Sequence, residues 1–235
     1  MTITSRLLDI NVGADYVSGY PSRVDNIGRV RNDAKASIVV TTESGPESDA
    51  ELLSREFGWR SAFARRGDSA PIATAVHWDP DKYKFVRAWE LTTLRSSTHR
   101  WGTLVRLRHT ASGQTFFIGS THCVPWPIGA NKVRRYNEQR RAELGAMLKQ
   151  SREIAGDEPV VIAGDFNGKR TDSKYAGGDG PGKAMVDHGF TEAKPSKAVI
   201  DRVCGRGVKF ANTVILPTRG ATDHDTCVAV DVVLP

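Results

Sequence analysis

Short runs of apolar and β-branched residues, each closing on a polar side chain, recur along the chain and set its expected architecture. Residues 7–12 form the first run, a strand ending near Asn11 and Gly13. A polar stretch with Pro21, Ser22 and Asp25 then leads into a short helix reaching Asp33. Residues 36–41 (ASIVVT) are the second strand, which delivers Glu43 just before Ser44, Gly45 and Pro46 turn the chain. Ser48 with Glu51 reads as a capping box for a helix carrying Leu52, Leu53 and Phe57, closed by Gly58.

Three or four strands follow from Ile72 onward, drawn from IATAVHW, KFVRAWEL, GTLVRLRH and TFFIGSTH. The turn signals Asp79-Pro80-Asp81 and Ser112-Gly113 separate them into an expected antiparallel meander, whose last strand ends at Thr121 and His122. Asn131 is the expected cap of a long helix reaching residue 154, with Val133, Tyr136, Leu144, Met147 and Leu148 as its apolar stripe and Gly156 as its stop.

Residues 160–168 (VVIAGDFNG) run a strand covered on both faces into a polar turn. Gly164 allows close backbone approach there, and Asp165 and Asn167 are presented together. A Gly-rich loop (YAGGDGPG) opens a short helix ending at Gly189. Residues 199–203 (VIDRV) are a strand containing Asp201, and a carboxylate in an apolar strand needs a partner. The closing strands, 209–216 and 226–234, flank the turn PTRGATDHD, which holds Asp223 and His224.

Composition narrows the class. At 235 residues, without a linker or repeat, the chain is expected to form one α/β domain. Lys and Arg number 33 against 27 Asp and Glu, a formal charge of +6 that favours a polyanionic partner. Three cysteines without CxxC spacing indicate neither a disulfide framework nor a thiolate zinc site, and point to a reducing compartment. The N-terminus lacks the apolar core of a signal peptide, and no run approaches the roughly 20 apolar residues of a membrane helix. A cytoplasmic protein with no membrane partner is expected.

Asn11, Glu43, His122, Asp165, Asn167, Asp201, Asp223 and His224 all lie at or near expected strand ends. Singly, each reads as a turn residue or a satisfied histidine. In order, the motifs LDINV, IVVTTE, IGSTH, GDFN, IDRV and TDH span nearly the whole chain and resemble those of the endonuclease/exonuclease/phosphatase superfamily. That superfamily has the DNase I-like fold and includes abasic-site endonucleases, DNase I, sphingomyelinases and inositol polyphosphate 5-phosphatases. The chain departs from its pattern where Thr42 precedes Glu43 in place of Gln, where Thr222 replaces Ser before Asp-His, and where Gly13 replaces an apolar residue.

The resemblance implies a four-layered α/β sandwich, two packed mixed β-sheets flanked by helices. It implies that Glu43 is the principal ligand of a hard divalent cation, Mg²⁺ or else Mn²⁺ or Ca²⁺, supported by Asn11 and by Asp223. Asp165 would orient or deprotonate the attacking water, and Asn167 would donate to a phosphate oxygen. His224, held by Asp201, and His122 would face the scissile phosphate, with Asp68 the candidate acid beside His122. The implied reaction is in-line attack of water on a phosphoester.

Substrate class must come from the variable segments. Trp126 lies in the Pro- and Gly-rich loop after His122, close in sequence to Lys132, Arg134, Arg135, Arg140 and Arg141. An aromatic among basic residues suits a nucleic-acid backbone, and Arg65, Arg66, Arg95, Arg100, Lys169 and Arg170 are candidates to extend that surface. The expectation is a nuclease on DNA or RNA with little base readout. The alternatives are a phosphatase or phosphodiesterase on a soluble or lipid phosphate, and a catalytically silent nucleic-acid-binding module. His77, His99, His109 and His188 match no motif.

Overall fold

Among the described residues, twelve strands and four helices build four layers. The computed structural model describes residues 2–13, 20–45, 47–65, 72–92, 101–125, 133–169, 178–194, 199–220, 222 and 224–235. In the first sheet β1 (Ile3–Asn11) runs parallel to β2 (Ile38–Gly45) and antiparallel to β12 (Thr226–Leu234). Beyond β2 come β4 (Ile72–Trp78) and then β3 (Arg60–Arg65); beyond β12 lies β11 (Lys209–Pro217). The second sheet has the order β5 (Tyr83–Thr92), β6 (Trp101–His109), β7 (Thr115–Ser120), β8 (Val160–Asp165), β10 (Asp201–Arg206) and β9 (Thr191–Glu192). Only β7 and β8 are parallel among its neighbouring pairs.

Strand alternation sorts the apolar residues into three cores. Leu7, Ile38, Val40, Val230 and Val232 of the first sheet meet Val105, Phe116, Ile118, Val161 and Val203 of the second between the sheets. On the outer face of the first sheet, Leu8, Ile10 and Val39 pack with Val24, Ile27, Val30, Leu53 and Phe57. These last five lie on α1 (Tyr20–Ala34) and α2 (Glu47–Phe57). On the outer face of the second, Leu104, Phe117, Val160 and Ile162 pack with residues of α3 (Val133–Ala155) and α4 (Gly180–Asp187), among them Leu144, Met147, Leu148 and Met185. Each fully buried aliphatic side chain of this kind contributes about 1.5–3 kcal/mol, so the interleaved layers dominate stability. This is the expected four-layered α/β sandwich.

Polar contacts also join the sheets. The Ser120 hydroxyl donates to the Thr41 carbonyl at 2.9 Å, Thr74 and Thr103 hydroxyls meet at 2.9 Å, and the Tyr83 hydroxyl donates to Ser5 at 2.8 Å. Each polar group brought into the interface finds a partner in these three contacts, which avoids the desolvation cost of leaving it unpaired.

The structure corrects several local readings. Of the three or four strands expected in the meander, three, β5 to β7, form it; β4 joins the other sheet, between β2 and β3. The Asp79-Pro80-Asp81 turn therefore carries the chain from sheet to sheet, with the Asp81 amide on the Asp79 carboxylate at 3.0 Å. β3 (RSAFAR) gives no apolar run to read, because its mixed polar sequence suits an edge strand. α2 begins at Glu47, so Ser48 lies within its first turn. Asp201 is the first residue of β10. Asn131 lies outside the described residues. Cys123, Cys204 and Cys227 are buried thiols outside any disulfide, and none of the described helices is long and apolar enough to cross a membrane.

Candidate active site

Parallel pairing of β1 with β2, and of β7 with β8, brings four strand C-termini to one end of the sandwich. Asn11 ends β1, Asp165 ends β8 and His122 follows β7. Glu43 lies where the pairing of β2 with β4 shifts register between Thr42 and Gly45, and its φ is +53°. A bulge with a non-glycine residue in the left-handed region costs of order 1 kcal/mol and re-aims the side chain. Here it turns Glu43 toward His122, with Oε1 and Nε2 3.6 Å apart.

Asp165 is the centre of the cluster. Its Oδ2 lies 3.5 Å from His122 Nε2, 3.8 Å from His224 Nε2 and 3.5 Å from the Asn11 side-chain amide. Its Oδ1 accepts the Asn167 backbone amide at 2.7 Å, and Asn167, with φ +51°, donates its side-chain amide to the Cys123 carbonyl at 2.9 Å. The Asn167 side chain thus anchors the segment carrying His122. The carboxylate that Asp201 required a partner for is matched by His224, whose Nδ1 lies 2.9 Å from Asp201 Oδ2. With the Nδ1 proton on that contact, a neutral His224 ring presents Nε2 as an acceptor to the Asn11 amide 3.3 Å away. Asn11 is itself oriented by the Gly13 amide, which donates to its Oδ1 at 2.9 Å.

Burial of Asp165, together with the charges of Asp201 and Glu43, pushes its carboxyl up to about 7 against the opposing pull of His224 and the Asn167 amide. Beneath it lies Asp9, a residue inside the LDINV motif to which the sequence assigned no role. Asp9 is fully buried on β1, and its Oδ2 accepts the Gly164 amide at 3.1 Å across the sheet interface. Burial and the nearby Asp201 and Asp165 hold its carboxyl well above the usual range. The available signal is spacing: Leu7, Asp9 and Asn11 fall on one face of the strand. Gly164 has φ +145°, and a Cβ there would stand 1.9 Å from the Thr121 carbonyl oxygen, so glycine is required where β8 passes beneath His122.

The donor set suits a hard cation. Carboxylates of Glu43, Asp165 and Asp201 converge with the Asn11 amide, and one ligand atom each from Asp165, Asp201 and His224 lies within 4.8 Å of the others. The raised Asp165 carboxyl, pushed up first by burial and then by Asp201 and Glu43, is a group whose charge a divalent cation would offset.

Other sequence candidates fall elsewhere. Trp126, Asp223 and Asp68 lie outside the described residues, as do Lys132, Arg66, Arg95, Arg100 and Arg170. Arg134 lies on α3 and its side chain is not described, whereas Arg135 is exposed there. Arg140 is corrected: it is fully buried, donating from Nε to the Val124 carbonyl and from Nη1 to Asn137 Oδ1, both at 3.0 Å. Arg141 is engaged with Asp187 at 2.6 Å. His77 is buried between Thr41 and Ser54 hydroxyls at 3.2 and 3.1 Å.

No family model matches the sequence. Nocturnin of Drosophila melanogaster is 30% identical over 112 residues, which are 46% of this chain and 16% of the fly protein's length. The fold is similar to an endonuclease/exonuclease/phosphatase from Bacteroides vulgatus, with TM-score 0.78 and 15% identity over 98% of both chains. The human Nocturnin catalytic domain with bound sulfate aligns with TM-score 0.74 and 16% identity, over 98% of this chain and 96% of that one. D. rerio TDP2 complexed with single-strand DNA product aligns with TM-score 0.73 and 11% identity over 99% of both. The chain therefore has the fold of endonuclease/exonuclease/phosphatase proteins, with amide, carboxylate and imidazole side chains gathered at its strand ends.

Proposed function

We propose that the chain is a Mg²⁺-dependent phosphodiester hydrolase that cleaves DNA or RNA with little base readout. The observation that carries this is the convergence on the buried Asp165 Oδ2 of Asn11, His122 and His224, drawn from both sheets. Glu43 would hold the cation with Asn11 beside it, and Asp223 is a further candidate ligand. Held there by Glu43 with Asn11, such a cation would supply positive charge against the phosphate. Asp165, as carboxylate, aligns a water for in-line attack and receives its proton; a carboxyl titrating near 7 is suited to that exchange. His224, kept in orientation by Asp201, donates toward a phosphate oxygen when protonated, and His122 does so from the other side of Asp165. Asn167 offers the second hydrogen of its amide, the first being held by Cys123.

The nucleic-acid reading draws support from the +6 charge, from exposed Arg135 at the start of α3, and from the likeness to a protein solved with a DNA product. Purified protein should cleave at least one of plasmid, single-stranded DNA, RNA or an abasic-site duplex with Mg²⁺ and none with EDTA. Failure on every one would sink the nuclease reading, and phosphate release from inositol phosphates instead would reassign the substrate.

A further inference from the structure

We propose that Arg202 is a positioning residue of the site, which keeps the turn bearing Asn167 in register with the strand end bearing Asp201. Its activity test rests on the hydrolase reading above; its structural test does not.

Three consecutive residues divide the task. The Ile200 carbonyl accepts the Phe166 amide at 3.0 Å, attaching the near end of the turn after Asp165. Asp201 turns into the sheet interface and holds His224. Arg202, on the opposite face of the strand, reaches toward α4 and attaches the far end of the same turn: its Nη1 donates to the Gly168 carbonyl at 2.8 Å. Amide and imidazole halves of the site are thereby tied to one short stretch of chain.

The guanidinium is built into the molecule. Its side chain is 1% exposed. Nη1 and Nη2 form a fork on Asp179, at 2.8 and 3.0 Å, and Nε donates to Glu192 Oε1 at 2.7 Å. Two carboxylates and a carbonyl compensate the buried charge, the condition under which such a cation is tolerated. Asp179 in turn caps α4, accepting the Gly182 amide at 2.9 Å. The turn is pressed against that helix start, since a Cβ on Gly168 would come within 2.8 Å of the Pro181 ring. One planar fork therefore joins β10, β9, the helix cap and the site turn, which a lysine ammonium cannot reproduce in geometry.

The test uses Arg202→Lys, which keeps the charge, with Asp179→Asn as a second, milder break in the clamp should the first fold poorly. Amide hydrogen exchange without substrate is expected to rise about tenfold at Phe166 and Asn167 and to stay unchanged at residues 161–163. On whichever substrate the wild type cleaves, kcat is expected to fall about 10- to 100-fold with KM within about threefold, the pattern of misplacement rather than lost binding. Unchanged exchange at Phe166 and Asn167 in both variants overturns the proposal, as does a uniform loss of protection across β8 with kcat preserved. A wild type inactive on every substrate removes the hydrolase reading and leaves the exchange result to decide the role of Arg202.

Discussion

His224 and Asp201 belong to opposite sheets, one in the connection from β11 to β12 and the other at the head of β10, yet Nδ1 and Oδ2 lie 2.9 Å apart. The pair fixes the imidazole's orientation and places its other nitrogen against Asn11 and Asp165. Asp201→Asn should lower kcat on the order of 10²–10⁴-fold, as neutralising a carboxylate behind a working imidazole does. Because Asp201 also raises the carboxyls of Asp165 and Asp9, the variant should melt no lower than wild type. Thermal melts beside initial rates check this; a parallel loss of both would assign Asp201 to the scaffold.

The raised Asp165 carboxyl has a consequence for cation-free stability. Its folded value near 7 exceeds the unfolded value near 4, so the native state holds the proton more tightly. Stability from this group is complete below about pH 4 and is lost as pH rises toward about 7, with Asp9 acting in the same direction. Mg²⁺ should therefore raise the melting temperature more at pH 8 than at pH 5, and Asp165→Asn should flatten the decline. Equal shifts at both pH values would contradict the placement of Asp165 against the cation.

His77 works with the opposite sign. Burial lowers its imidazole to about 4, so it stays neutral in the fold and charges only on unfolding or in acid. As pH falls from about 6.5 to 4, the unfolded chain gains the proton first and about 3 kcal/mol of stability is lost. In an Asp165→Asn background, where only Asp9 still acts in the opposing direction, His77→Gln should visibly flatten that acid limb in urea titrations between pH 4 and 7. A limb of unchanged slope would contradict the buried neutral assignment.

Gly164 tolerates no side chain. Its φ is +145°, and the Thr121 carbonyl oxygen lies 1.9 Å from where a Cβ would stand. Gly164→Ala should therefore destabilise the fold by at least about 2 kcal/mol and displace His122. Chemical denaturation would measure the first and residual activity the second. A neutral substitution would show that β8 does not pass this close beneath Thr121.

The basic face of α3 divides into scaffold and surface. Arg140→Ala should cost about 2 kcal/mol or more of stability, because the Val124 carbonyl and Asn137 lose a buried donor. Arg135→Ala should leave stability unchanged and reduce the salt dependence of nucleic-acid binding by about one phosphate contact. Binding titrations from low to moderate salt, paired with melts, distinguish the two.

Much of the candidate site was legible because its residues sit where apolar runs stop. Asn11, His122, Asp165 and Asp201 each end, follow or begin a strand, and their order along the chain carried the resemblance. Asp9 and Arg202 escaped because each lies inside or beside a run whose pattern already explained it, and their significance depends on partners 155 and 34 residues away in sequence. Arg140 misled for the same reason. In a run of basic residues nothing local marks the one that folds inward onto the Val124 carbonyl.

Periodicity and turn chemistry by themselves determined most of the strands and helices and the candidate carboxylates, amides and imidazoles, since those depend on local alternation and on what can end a strand. The order of the motifs, through their resemblance to a superfamily, added the sandwich class. Which sheet received β4, how Glu43 was turned by its bulge toward His122, and the joining of His224 to Asp201 and of Arg202 to Gly168 were decided only in the tertiary structure. Such contacts are set by the packing of two twisted sheets face to face, and no neighbour in sequence encodes the distance between them.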